Sequence, residues 1–115
     1  MSNINELIAR LNNFAEERDW NQFHSPKNLS MALAVEAAEL LEQFQWLTEA
    51  QSEALDKDKL NQVEEELADV FLYLLRLSDV LGIDLLVAAN NKLKKNGEKY
   101  PASQVRGSSK KYNEY

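Results

Sequence analysis

The feature that most constrains this fold is a helical segment, residues 29–47, with carboxylates along its apolar stripe. Glu36 and Glu39 lie one helical turn apart, and the neighbours of Glu36 at spacings of three, four and seven residues are mostly apolar. A buried carboxylate costs several kcal/mol unless a positive charge compensates it. Because no Lys or Arg occurs between Asn28 and Asp56, that charge must come from elsewhere in the fold or from a metal ion.

A second helical segment, residues 60–81, repeats this pattern. Glu66 and Asp69 lie side by side on one flank of its apolar stripe, and Arg76 is the only Lys or Arg within it. If the two helices pack together, four carboxylates converge. Hard divalent cations such as Mg2+ prefer all-oxygen ligands, and Mg2+ commonly bridges carboxylates to substrate phosphates. The two acidic pairs therefore predict a metal site.

Apolar residues recur with a helical period along most of the chain. With 115 residues, 3 Gly and 2 Pro, the composition favours one all-α domain with few turns. We predict a four-helix-type bundle over residues 1–101 and a polar, flexible tail over 102–115. Connecting loops are expected at 20–27 and 48–57. The predicted helices cover residues 4–18, 28–47, 58–81 and, from an N-cap at Asp84, 85 to between 96 and 99.

The middle of the third predicted helix is apolar on all sides. Residues 70–75 read VFLYLL, and a helix of this kind has to be covered all round. Four helices are few for that task, so a second chain is the simplest cover. A central helix wrapped within one monomer is the alternative. We therefore expect a homo-oligomer.

Composition and charge exclude several classes of protein. The absence of Cys rules out disulfides and thiolate metal sites and fits a cytoplasmic protein. The net charge of -6 argues against binding to polymeric nucleic acid. No apolar run approaches membrane-spanning length and the N-terminus is polar, so neither a membrane segment nor a signal peptide is expected.

Two further groups of residues are candidates for substrate binding. Trp20, Phe23 and His24 crowd the first loop, either as aromatics tucked into the core or as a wall for a planar base. The last helix and its exit are basic, which suits phosphate binding, although a solvated basic surface is the alternative. The polar side chains there are Lys92, Lys94, Lys95, Asn96 and Lys99.

Other chemistries fit the sequence less well. Carboxylate-bridged di-iron bundles use Glu-x-x-His on paired helices, and the only histidine, His24, follows no such spacing. The chain has no Cys, no nucleophile elbow and no P-loop. Glu64 and Glu65 are interpreted as ordinary solvated acids. The chemistry that remains compatible with the sequence is metal-assisted attack by water on a phosphate.

Several motifs in order resemble a known family. They are FAEERDWNQFHSPKNL, the EAAE pair followed by FQW, EELADV, and NKLKKNGEKYP. Over residues 14–101 the chain resembles the MazG-like all-α nucleotide pyrophosphohydrolases, and among them the dCTP pyrophosphatase branch. The resemblance implies Mg2+-dependent hydrolysis of a nucleoside triphosphate in a helical oligomer. One departure concerns base selection, because Leu11 stands where some animal relatives carry histidine.

The resemblance also implies roles for individual residues. We interpret Glu39, with Glu36 as the alternative, as the general base. Trp46 lies seven residues after Glu39, which in a continuous helix is about 10 Å along the same face. The implied metal ligands are Glu36, Glu39, Glu66 and Asp69; the implied base and sugar pocket is Trp20, Phe23, His24, Trp46 and Tyr73; the implied phosphate contacts are Lys92, Asn96, Lys99 and Tyr100.

The sequence thus predicts a cytoplasmic, Mg2+-dependent enzyme that converts a dNTP, dCTP or a related nucleotide, to dNMP and pyrophosphate. Its partners would be the nucleoside triphosphate and other copies of itself, as a homotetramer or alternatively a dimer. From a different class, the alternative is a non-catalytic helical protein that binds nucleotide or metal as an assembly module. Base preference, the number of metal ions and the phosphorus attacked are left open.

Overall fold

The computed structural model describes residues 3–109, which fold as helices and turns. They divide into two compact units, residues 3–82 and 83–109. The all-α prediction is confirmed. The elements are α1 (Ile4–Glu17), a 3-10 helix η1 (Asn21–Phe23), α2 (Pro26–Glu42), α3 (Glu49–Ser52), α4 (Lys57–Val80), α5 (Leu85–Lys99) and α6 (Ala102–Val105).

Side-chain caps define where these helices begin. Asn3, Ser25, Asp56 and Asp84 each accept a hydrogen bond from a backbone N–H in the first turn of α1, α2, α4 and α5, respectively. Pro26 adds a residue whose fixed φ suits the start of α2. The cap at Asp84 is the one predicted from the sequence.

The core of the first unit forms where α2 and α1 pack against α4. Its buried apolar side chains come from all three helices, and the Ser78 hydroxyl among them donates to the Leu75 carbonyl at 2.9 Å. This packing places the acidic faces of α2 and α4 against one another. The buried apolar residues are Ala15, Leu29, Val63 and Leu75.

The apolar middle of α4 is covered only in part. Leu75 is fully buried, whereas Phe71 and Leu74 remain 40% and 37% exposed. These exposed side chains leave the expectation of an oligomer standing as a prediction.

The prediction that the second helix runs to Leu47 is wrong. α2 ends at Glu42, and the next backbone amides turn to carbonyls three residues back, as in Gln43 N to Leu40 O at 3.1 Å and Leu47 N to Phe44 O at 2.9 Å. The tightened hydrogen bonds end the helix before Trp46. The helix also starts at Pro26 rather than Asn28.

The loop predicted over 48–57 contains α3. Thr48 and Gln51 form a reciprocal capping box, in which each side chain bonds to the backbone N–H of the other. The capping box supplies the local hydrogen bonds that start this one-turn helix.

The predicted domain limit at residue 101 and the flexibility of 102–115 stay predictions. Ala102–Val105 forms one helical turn, and residues 110–115 lie outside the described residues. Across residues 3–109, no helix is both long enough and apolar enough to cross a membrane.

Candidate functional site

Three carboxylates meet where α2 faces α4. Glu36 and Glu39 lie one turn apart on α2, and Glu66 projects from α4. One carboxylate oxygen from each lies within 4.8 Å of the others, and all three side chains are half-buried. The acidic cluster, as we call these three residues, contains three of the four metal ligands implied by the resemblance.

Asp69 completes the predicted set but occupies a more exposed position. It follows Glu66 by one turn of α4, and its negative charge contributes to the raised pKa of both Glu36 and Glu66. Asp69 is therefore an electrostatic neighbour of the acidic cluster.

Among residues 3–109, the acidic cluster has no compensating positive charge. Within residues 3–109, none of its carboxylates forms a salt bridge. Desolvation, followed by hydrogen bonding and repulsion from Glu39, raises the pKa of Glu36 to about 7. Desolvation also raises the pKa of Glu66, and the charges of Glu39 and Asp69 add to the shift. The folded chain therefore opposes full ionisation of this group.

The donor set of the acidic cluster fits a hard divalent cation. All its ligand atoms are carboxylate oxygens, and Glu36 Oε2 and Glu66 Oε2 are buried without a hydrogen-bond partner among the described residues. Buried polar atoms are normally paired, so these two orphaned oxygens need a ligand. A divalent cation would satisfy them and supply the missing charge.

A cleft of about 230 Å³ lies beside this acidic face. Asp69, which follows Glu66 by one turn of α4, lines it. Trp20, His24 and Tyr73 also line it, which brings together three of the five residues expected to contact the base and sugar. Its other lining residues are Leu11, Phe14, Ala15, Leu72 and Arg76.

Aromatic packing holds the wall of this cleft. The rings of Phe14 and Trp20 meet edge to face with centroids 5.6 Å apart. The ring of His24 lies 6.2 Å from that of Trp20, tilted by 58°. Because Trp20 packs against Phe14 while its side chain is still 43% exposed, the indole can both pack and bind.

The remaining predicted aromatics lie outside the cleft. Phe23, at the end of η1, is 58% exposed. Trp46 is 87% exposed and follows the end of α2. The prediction that Trp46 lies two turns after Glu39 on one continuous helical face is wrong, because α2 ends at Glu42. Its binding role stays a prediction.

The predicted phosphate contacts belong to the second unit. Lys92, Asn96 and Lys99 lie on α5, and Tyr100 is its C-cap residue. Lys92 and Lys99 are exposed, whereas Asn96 and Tyr100 are half-buried. Their part in binding stays a prediction.

Arg76, which lines the cleft, was not predicted from the sequence to be a site residue. Its guanidinium donates to Asn12 Oδ1, to Asn21 Oδ1 at 2.6 Å, and to His24 Nδ1 at 3.1 Å. The one available signal was its isolation as the only cation of α4 after Lys59. Its acceptors lie more than 50 positions away, beyond the reach of helical periodicity.

Comparison with known proteins places these features in context. A model of the MazG-like family matches residues 31–115. The chain is 43% identical to human dCTP pyrophosphatase 1 over 112 residues, which are 95% of this chain and 66% of the human protein. The mouse protein of that name is 44% identical over 93% of this chain and 65% of its own length. The chain thus spans just under two thirds of these curated relatives.

A solved structure shows the same fold. The crystal structure of a pyrophosphatase from Archaeoglobus fulgidus superposes with a TM-score of 0.77 at 41% sequence identity. The match covers 88% of this chain and 94% of the archaeal one. The likeness therefore extends over nearly the whole archaeal chain.

Proposed function

This chain belongs to the MazG-like family, and from that premise we propose that it is a Mg2+-dependent nucleoside triphosphate pyrophosphohydrolase. It converts a dNTP, dCTP or a related nucleotide, to dNMP and pyrophosphate and so removes unwanted nucleotides from the cytoplasmic pool. The observation that carries the proposal is the acidic cluster, three half-buried carboxylates without a counter-charge in the part of the chain that the structure describes. The relatives named dCTP pyrophosphatase 1 support the choice of nucleotide.

The acidic residues would have different roles at the triphosphate. Glu36, Glu39 and Glu66 would hold Mg2+, with Asp69 beside them. When bound there, the cation would neutralise charge on the triphosphate and activate a water molecule for attack. Glu39 remains our choice of proton acceptor. Glu36, whose pKa lies at about 7 before a cation binds, is the alternative.

The cleft would hold the nucleoside. Its volume of about 230 Å³ is below that of most small-molecule sites, which suits a base or sugar more than a whole triphosphate. Trp20 offers a face for stacking and Tyr73 a hydroxyl, while Asp69 joins the cleft to the acidic cluster. The base would therefore lie among the aromatics, and the phosphates would extend towards the carboxylates.

Residues outside this cleft complete the proposal. Phe23 and Trp46 expose aromatic surface that a bound base could cover. Lys92, Asn96, Lys99 and Tyr100 would offset charge on the leaving pyrophosphate. These assignments are supported by the resemblance of the motifs WNQFH, FQW and NKLKKNGEKY.

We further propose that the chain works as a homotetramer, with a dimer as the alternative. Large apolar side chains of α2 and α4 that remain exposed in one chain support this assembly. They are Met31, Val35, Leu41, Leu60, Leu67, Phe71, Leu74 and Val80.

A survey of nucleotides tests the proposed activity. Purified protein is incubated with each dNTP and NTP, in Mg2+ or in EDTA, and the products are separated by anion-exchange chromatography. We expect dCTP or a related dNTP to yield dNMP and pyrophosphate in Mg2+ only. Release of dNDP and inorganic phosphate, or no turnover by folded protein, would contradict it. Binding without turnover would favour an assembly module instead.

A further inference from the structure

Arg76 gathers three acceptors from separate parts of the first unit. Asn12 lies on α1, Asn21 in η1, and His24 immediately after η1. None of the three is a carboxylate, and Arg76 forms no ion pair among residues 3–109. The guanidinium therefore acts here as a directional donor, and three of its N–H groups are used in fixing side chains.

The bond to His24 determines where the imidazole proton lies. A guanidinium carries only donors, so the ring nitrogen 3.1 Å from Arg76 Nε has to accept. An accepting Nδ1 carries no proton, and a neutral imidazole then has its proton on Nε2. Burial, followed by the nearby charge of Arg76, lowers the pKa of His24 and favours the neutral ring. The geometry therefore presents Nε2–H as a donor.

This donor lies at the wall of the cleft. His24 lines the cleft beside Trp20 and Tyr73, and its ring packs at an angle to the Trp20 indole. No described residue accepts a hydrogen bond from Nε2, since the one bond of the ring runs through Nδ1. A ligand in the cleft is thus the natural acceptor for this N–H group.

We propose that Arg76 is a positioning residue that fixes His24 as the Nε2–H tautomer, so that this N–H donates to an acceptor atom of the bound nucleoside. The inference rests on the proposed function for the identity of the ligand. Lysine could not replace arginine here. Its ammonium is a single point donor group and lacks the planar fork that reaches three acceptors in fixed directions.

The tautomer can be observed directly because His24 is the only histidine in the chain. We would record long-range 1H–15N correlation spectra of the tag-free protein at neutral pH. The expected spectrum shows a protonated Nε2 and an unprotonated Nδ1, and it changes in Arg76→Lys and Arg76→Gln. Arg10→Lys, at an exposed position of α1, is the matched control and should leave it unchanged. A wild-type spectrum with the proton on Nδ1 would overturn the inference.

A double-mutant cycle tests whether Arg76 acts through His24. We expect Arg76→Lys to raise KM for dCTP about tenfold, equivalent to about 1.4 kcal/mol, with kcat nearly unchanged. In a His24→Ala background the same substitution should change KM less than about twofold. The inference would be contradicted if Arg76→Lys changed KM equally in both backgrounds. It would also be contradicted if Arg76→Lys left KM unchanged when introduced into the active wild-type enzyme.

A binding experiment keeps this result separate from the proposed activity. The α,β-imido analogue of dCTP, which resists cleavage at the expected bond, is titrated into labelled protein with Mg2+. The His24 Nε2 resonance should shift as the analogue binds, and binding without that shift would refute the donor role. If no nucleotide is hydrolysed or bound, the proposed function fails, whereas the tautomer spectrum still decides the role of Arg76.

Discussion

At the scale of single residues, the site is defined by carboxylates that the fold leaves uncompensated. Glu36 and Glu66 each keep one buried oxygen without a hydrogen-bond partner among the described residues, and desolvation raises the pKa of both. Such an arrangement disfavours the metal-free folded state at neutral pH, because charge is held away from water. The acidic cluster is thus explained better by ligand binding than by a contribution to stability.

The first prediction concerns the pH dependence of metal-free stability. Glu36 has a folded pKa of about 7 against an ordinary value of 4.5. Its favourable contribution is therefore fully present below about pH 4.5 and is lost as pH rises through about 7. Glu36→Gln removes this loss of stability, because glutamine carries no ionisable group. In EDTA, its melting temperature should rise relative to wild type between pH 5 and pH 8.

The melting temperatures of wild type and Glu36→Gln are measured at pH 5 and pH 8. Glu64→Gln, at an exposed position of α4, is the control. The gap between Glu36→Gln and wild type should widen with pH, whereas Glu64→Gln should follow wild type. A gap that stays constant would show that Glu36 titrates normally in the folded protein. In a separate set of melts, added Mg2+ should raise the melting temperature of wild type more than that of Glu36→Gln.

At the scale of elements, α4 was predictable from its apolar periodicity and the start of α5 from its N-cap. Asp56 and Asp84 cap α4 and α5, and α4 ends within one residue of the predicted position. The C-terminus of α2 was missed because FQW holds no Gly or Pro to stop a helix. The Thr48–Gln51 capping box was the available sign that a new helix begins beyond it.

The site, like the helices, was predictable from the sequence only in part. The spacing of Glu36, Glu39 and Glu66 on two helices, together with the lack of nearby cations, was enough to predict the acidic cluster. The bonds of Arg76 to Asn12 and His24 join residues 64 and 52 positions apart. Such contacts depend on how α1 and the first loop pack on α4, which local sequence patterns do not encode.

The second prediction concerns the connection after α2. Trp46 is 87% exposed, so Trp46→Ala removes little buried surface, and the variant should keep the wild-type helical circular dichroism and melting curve. If the indole stacks on the base, a loss of about 1.4 kcal/mol or more, within the range of about 1–3 kcal/mol for base stacking, raises KM for the preferred dNTP by about tenfold or more. Initial-rate kinetics in Mg2+ provide the measurement. An unchanged KM in the folded variant would remove Trp46 from the site.

At the scale of the whole molecule, exposed apolar surface is the dominant feature. Phe71 and Leu74 project from the most apolar stretch of α4, and Val35 and Leu41 project from α2. Monomers rarely leave so many large apolar side chains in water. Burial against further copies of the chain would explain a sequence that is apolar on more faces than one chain can cover.

The third prediction is that the protein is a stable oligomer at micromolar concentration. Light scattering should give four times the chain mass, or twice for the dimer. Phe71→Glu places a charge in the expected interface and should lower that mass, whereas Gln62→Glu, at an exposed polar position of α4, should not. A wild-type mass of one chain would contradict the proposed assembly.

The most direct test of the metal-dependent activity is the Mg2+-dependent release of pyrophosphate by Glu36→Gln beside Glu64→Gln. Both substitutions remove one negative charge and keep the shape of the side chain, but only Glu36 belongs to the acidic cluster. Both variants should keep the circular dichroism spectrum of wild type. We expect Glu36→Gln to lose turnover by about 100-fold or more and Glu64→Gln to retain it. Near-wild-type turnover by folded Glu36→Gln at limiting Mg2+ would contradict it.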